Sequence, residues 1–308
     1  MSGQTTRREF LKDTGLVAGA IGVLNPMQAL AESAPRPTIK YPKGGAEHCI
    51  FIWLGGGAAQ IDMWDPKRVG DPKAKKAGSA YPAVDTAIPG VQVTEHLGQC
   101  AKILDRFCLL RTVNHDTKDE HAAATNRMHT GRPVSGTIVY PSIGSIVANQ
   151  RGKVTKGMPA YVVMGYPNLT RGPGFLGAQD GYIYLIDTEA GPAGLRRPSG
   201  ISDTRQTRRE QLLSGLRSGF RQRASTDPAV KNYDSVIEEA FALGRGEFMN
   251  AFQLTNESGG LRESYGGEFG QRCLLARRLV QRGVRFIEVS FNLNFINGTG
   301  WDTHNEGQ

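Results

Sequence analysis

The sequence predicts an α/β protein: a mainly parallel, doubly wound sheet with helices on both faces. Three observations carry that expectation. Apolar runs without polar alternation, such as Cys49-Ile50-Phe51-Ile52-Trp53-Leu54, read as strands covered on both sides. Longer stretches with apolar residues at helical spacing separate those runs. The two kinds alternate along the chain, which is the pattern of parallel strands joined by crossover helices. The 308 residues are enough for one sizeable core. A hydrophobic content of 39% with 21% charged residues excludes wholesale disorder, a collagen-like fibre and a multi-span membrane protein.

In order, residues 32–45 form a Pro/Lys/Gly-rich leader arm, and the first strand ends at Gly55-Gly56-Gly57. A long loop follows, carrying Asp62, Asp65 and Asp71. Residues 93–104 have helical spacing through Leu97, Ala101 and Leu104, and residues 107–113 read as a second strand. Residues 120–128 and 143–149 read as helices, and residues 160–164 as a third strand. Residues 167–198, rich in Gly, Pro and aromatics, read as an irregular insertion. Helical spacing returns over 205–220, 230–254 and 269–282, the last ending at Gly283 in a C-cap position. Residues 284–291 are the fourth strand. No internal repeat or linker divides the domain. The four cysteines include no C-x-x-C and no finger spacing. Cys49, Cys100, Cys108 and Cys273 all sit in apolar runs and are expected to be buried free thiols.

Residues 1–31 read as an export signal and residues 32–308 as the mature domain. Thr6-Arg7-Arg8-Glu9-Phe10-Leu11-Lys12 precedes a short apolar run and the small-x-small step Ala29-Leu30-Ala31. Paired arginines before x-Phe-Leu-Lys resemble a twin-arginine signal, which implies the twin-arginine export machinery as partner and a periplasmic or extracellular destination. No other segment is apolar for long enough to span a bilayer. Of the formal charge of +8, removing Arg7, Arg8, Lys12, Glu9 and Asp13 leaves +7. Arginines gather at 196–197, 205–209 and 217–223. They suit polyanions or an acidic envelope surface, with a solvated helix face as the plainer reading. Without a run of interleaved aromatics for base stacking, nucleic acid is not the expected partner.

Ligands of such sheets collect where strands end. After the first strand, Gln60 and Asp62 stand two apart and could direct oxygen ligands the same way. The second strand leads into Asn114-His115-Asp116 and then residues 119–131, which place three of the six histidines within fifteen residues. Asp119 is the expected N-cap of a helix whose first turn presents His121 beside free backbone N–H groups. Such a helix start suits an anion, and histidine suits a transition metal or proton transfer. After the fourth strand, Asp302 and His304 at i, i+2 form a workable pair of donors.

These residues resemble the secreted family catalogued as domain of unknown function 1501, similar in fold to the alkaline phosphatase/sulfatase superfamily. The matching stretches are residues 51–67, 121–131 and 269–286, together with Gly300-Trp301-Asp302-Thr303-His304. The resemblance implies hydrolysis of sulfate or phosphate esters with one or two divalent metals (zinc, calcium or magnesium) and a helix-borne nucleophile. Laid on that helix, His121 takes the nucleophile's place, where Ser, Thr or a modified Cys is usual. The carboxylate expected near Gly56 is missing, and Asp62 is its nearest substitute, with Gln60 as a partner. Asp302 and His304 resemble the metal-binding segment. Family members continue beyond this stretch, so the chain is expected to be incomplete at its C-terminus, as a fragment or a truncated paralogue.

Two function classes follow. The first is an exported metal-dependent ester hydrolase acting on a sulfated or phosphorylated small molecule or polysaccharide. Its metal ligands would be Asp62, His121, Asp302 and His304, with His121 at the reacting centre and Arg127 or Arg111 clamping the anion. The second is a non-catalytic envelope binding or assembly protein that keeps the fold with a degenerate site. A redox enzyme is disfavoured, since the chain has neither a dinucleotide fingerprint nor cluster-type cysteines.

Overall fold

The computed structural model describes residues 44–292, apart from residues 58, 119, 224, 225 and 246. The expected signal, residues 1–31, lies outside the described residues, as do Asp302 and His304. In chain order the elements begin with strand β1 (Cys49–Trp53), a small hairpin of β2 (Ala83–Asp85) and β3 (Gln92–Thr94), and one helical turn, α1 (Gly98–Ala101). Helices α2 (His121–Thr130) and α3 (Ile143–Arg151) lead to strands β4 (Tyr161–Met164) and β5 (Ile183–Leu185). Then come α4 (Asp203–Arg223), α5 (Pro228–Arg245), α6 (Gly259–Tyr265), α7 (Glu268–Gln281) and the last strand, β6 (Phe286–Ser290).

Four strands form one parallel sheet in the order β1-β6-β4-β5. Its centre is β6, buried on both faces. Ile287 and Val289 join Val162 and Met164 in the main core. Leu275, Ala276 and Leu279 of α7 cover them, with Phe248 and Phe252 from a 3-10 segment and Leu243 from α5. On the opposite face Tyr161, Val163 and Phe286 pack against Ala148 of α3. Helices therefore cover both faces, as expected for an α/β sheet with crossover connections. The contact with α3 is close enough to demand glycine, because a Cβ on Gly144 would lie 2.4 Å from the Tyr161 ring. Helix α7 also holds the chain leaving β6, through a 2.5 Å hydrogen bond from Arg272 Nη2 to the Phe291 carbonyl.

The structure departs from the sequence reading in several places. β1 is a strand, but it is not covered on both sides: Ile50 and Ile52 are exposed, and among the described residues it pairs with β6 alone. Residues 93–104 are not one helix. Val93 pairs with Val84, which holds residues 92–94 in extended hairpin conformation, and the Thr94 and Glu95 amides donate to the Met63 and Pro82 carbonyls. Residues 107–113 carry strand-like side chains but form no strand, with Phe107, Leu110 and Val113 exposed. The supposed insertion at 167–198 contributes β5 to the main sheet. The helical pattern over 230–254 divides into α5 and the 3-10 segment Glu247–Phe252. The four cysteines are free, but Cys49 and Cys108 are exposed and Cys100 and Cys273 only part-buried.

Candidate functional site at the carboxyl edge of the sheet

Parallel pairing sets the carboxyl ends of β1, β6 and β4 side by side, with Trp53 opposite Ser290 and Met164 opposite Val289. The loop after β1 turns through Gly56 at φ 106° and Gly57 at φ 80°, conformations that side chains with a Cβ seldom adopt. It then makes a single 3-10 turn, Gln60–Asp62. Residues two apart in such a turn point about 240° apart, so Gln60 and Asp62 do not direct their oxygens together, contrary to the extended-chain expectation. Asp62 Oδ1 accepts from the Ala80 amide at 2.6 Å. Beside it the buried Ser79 hydroxyl donates to the Ile61 carbonyl at 2.6 Å and accepts from the Lys67 amide at 2.7 Å. Asp62 and Ser79 thus clasp this loop to residues 79–80.

Helix α2 carries His121 at its first position. Its N-cap is Glu120 and not the expected Asp119, which lies outside the described residues. The Glu120 carboxylate accepts from the Ala122 and Ala123 amides at 2.8 and 2.5 Å. Two of the donors that an incoming anion would use are therefore taken by a resident carboxylate. Arg127, one turn before the helix end, pairs with Asp116 at 3.1 Å. Arg111 donates to the Gln92 carbonyl at 2.7 Å and stands 3.7 Å from Asp65. Both candidate anion clamps are thus engaged within the chain. Asp65, Arg111 and Gln60 line a groove of about 490 Å³ with Trp64 and Phe107, whose rings lie 6.0 Å apart.

A buried charged cluster lies beneath this edge, and sequence reasoning missed it. Glu288, in the middle of β6, is 1% exposed. Its Oε1 accepts from Arg171 Nε at 2.5 Å and faces His129 Nε2 at 3.1 Å, while Oε2 accepts from the Tyr161 hydroxyl at 3.1 Å. Arg171 also donates from Nη2 to Ser290 Oγ at 3.1 Å, and its carbonyl accepts from the Ser142 hydroxyl at 2.7 Å. His129 Nδ1 lies 2.8 Å from the Thr125 carbonyl. With an acceptor at each ring nitrogen, both contacts are satisfied together only when each nitrogen carries a hydrogen. Phe51 and Trp53 close over the imidazole at 5.7 and 4.6 Å between ring centroids. Burial alone would raise the Glu288 carboxyl. The hydrogen bond from His129 and the charge of Arg171 outweigh it and hold the group below the ordinary carboxylate range. Burial and the neighbouring Glu288 charge push the Tyr161 hydroxyl well up.

Of the three histidines grouped in the sequence, His121 thus begins α2, His129 is locked in the core, and His115 lies on the exposed segment ahead of the helix. The missed signal was Glu288 itself: a lone carboxylate inside an apolar strand must have buried partners. Among the described residues, no three His, Cys, Asp or Glu side chains are grouped to hold a metal ion.

The fold and these loops define an α/β protein with a parallel sheet whose polar loops gather at its carboxyl edge. The chain belongs to the family described as Protein of unknown function (DUF1501), whose model matches residues 46–308. No curated protein and no solved structure matches it.

Proposed function

We propose that the chain is an exported sulfatase- or phosphatase-like protein, of the alkaline phosphatase/sulfatase type, that acts on sulfate or phosphate esters of small molecules or polysaccharides. The observation that supports this reading most is the strand order. With β6 between β1 and β4, the loops after β1 and β4 and the chain running on towards Asp302 and His304 leave one edge together. That edge is where parallel α/β sheets bind ligands. In this reading residues 1–31 direct export by the twin-arginine route to the periplasm or beyond. The ester anion meets the start of α2, where His121 transfers a proton or takes the nucleophile's place. Arg127, exchanging Asp116 for the substrate, steadies the anion.

A divalent metal bound by Asp62, His121, Asp302 and His304 would supply polarisation of the ester oxygen. The described donors do not by themselves fit such a centre, because Asp62 already spends one oxygen on the Ala80 amide and no three donors gather. Metal analysis of the full-length exported protein, with aryl sulfate and aryl phosphate assays, tests the reading. Roughly stoichiometric divalent metal, lost in His121→Ala or His304→Ala, is expected. Protein that binds no metal and turns over neither ester class refutes it.

One observation favours a second reading, a non-catalytic binding or assembly protein of the envelope. The Glu120 carboxylate sits on the α2 amides that a substrate anion would need, and like charges repel there. Under that reading Glu120→Gln leaves aryl ester hydrolysis undetectable, whereas a hydrolase gains substrate affinity from the same change.

A further inference from the structure

Helix α4 runs for 21 residues without a single buried side chain. Its inner face is fixed by ion pairs, in which Arg217 and Arg221 both engage Asp234 and Glu238 of α5. At roughly 100° per residue, the opposite arc, about 140° wide, carries Leu212, Leu213, Leu216 and Phe220. These side chains stand in solvent: Leu212 is 66% exposed, Leu216 71% and Phe220 53%. The same arc holds Arg205, Arg208 and Arg209 on one side of the apolar patch and Arg223 on the other, all exposed. The helix's two carboxylates lie outside the arc. Asp203 pairs with Arg197, and Glu210 accepts from Gln206 at 2.8 Å.

We propose that this face of α4 docks on the surface of an anionic phospholipid bilayer. The arc presents four guanidinium groups and no carboxylate, which complements a surface of lipid phosphates. Between them lies an apolar patch about 12 Å long, which a dissolved polyanion or a nucleic acid would leave in water. A bilayer surface engages both sets, with arginines at the phosphates and Leu212, Leu216 and Phe220 at the acyl boundary. From Arg205 to Arg223 the face runs for roughly 27 Å, long enough to lie along a surface. The contact is peripheral, since no described helix is long and apolar enough to cross a membrane. The inference is independent of any catalytic reading, because α4 supplies none of the loops at the carboxyl edge of the sheet.

Vesicle flotation of the purified full chain tests it. Vesicles of phosphatidylethanolamine and phosphatidylglycerol are compared with pure phosphatidylcholine at fixed salt. Wild-type protein should float with the anionic vesicles and stay behind with the neutral ones. Arg205→Gln/Arg208→Gln/Arg209→Gln should weaken that partitioning roughly a hundredfold. Leu212→Gln/Leu216→Gln/Phe220→Gln should weaken it at least about tenfold. All six side chains are exposed, so both variants should keep the wild-type melting midpoint and circular dichroism. An apolar variant that floats like wild type would reduce the face to an adsorber of any polyanion and overturn the proposal. So would an arginine variant that binds undiminished, which would move the contact to another part of the chain. Failure of wild type to bind anionic vesicles, leaving an acidic protein as the occupant of the patch, would overturn it equally.

Discussion

Replacing Glu288 by Gln keeps the shape of the side chain in β6 and removes its charge. Arg171, whose side chain is 9% exposed, then loses its counter-ion in a place water does not reach, and the fully buried His129 side chain loses its carboxylate partner. Breaking a buried pair in this way costs about 3–5 kcal/mol, because the surviving charge stays desolvated. The Tyr161 hydroxyl contributes little to that sum, since an amide can still hydrogen-bond it. With a urea slope near 3 kcal/mol per molar, the unfolding midpoint should fall by about 1–1.7 M at an unchanged slope. Arg171→Gln made alone should be costly as well, and the double variant should cost less than the two singles together, by about 0.5–3 kcal/mol. A midpoint within about 0.3 M of wild type, or strictly additive variants, would refute the picture of a closed network in which each charge depends on the others.

The same carboxylate sets a pH dependence. Its folded-state value is depressed, so its contribution is complete above the ordinary carboxylate value of about 4.3 and disappears as pH falls through the folded value. Urea midpoints should therefore show a steeper acid limb for wild type than for Glu288→Gln below about pH 4.3, and equal limbs would contradict the assignment. Gly144→Ala pushes a methyl into the Tyr161 ring and should cost about 1–3 kcal/mol by thermal melting, with no loss at all pointing to looser packing of α3. Glu120→Ala removes the cap of α2 and should lower stability by about 1 kcal/mol, while an unchanged melting midpoint would mean that the Ala122 and Ala123 amides find other partners.

Elements that carry their own signal were legible in the sequence. β1, β4, β6, α2, α3, α4 and α7 all lie where apolar runs or helical spacing placed them. β5 was not, because three residues, Ile183-Tyr184-Leu185, inside a Gly- and Pro-rich stretch leave no periodicity to read. Residues 107–113 failed in the opposite sense: their composition suits a strand, but a strand is made by a partner, and they have none among the described strands. At the candidate site, the position of His121 at the start of α2 was foreseen, and its environment was not. Whether Asp119 or Glu120 caps the helix turns on one residue of register, and boundaries of that fineness lie below what sequence pattern resolves. The Glu288 cluster draws on residues 117, 127 and 159 positions apart, so no local motif could announce it.

The placement of β6 also governs the order of events when the protein is made. Beside the first strand, the His48 ring bonds the Val284 carbonyl at the start of the last strand, 236 positions downstream. The central slot of the sheet therefore stays vacant until residues 286–290 have left the ribosome, with β1 and β4 waiting on either side. Closing so long a loop costs entropy before any pairing repays it, and sheets built this way fold slowly. During that interval the nascent chain exposes Val162, Met164, Ile50 and Ile52 as open β surface, the kind of unpaired apolar edge that invites aggregation.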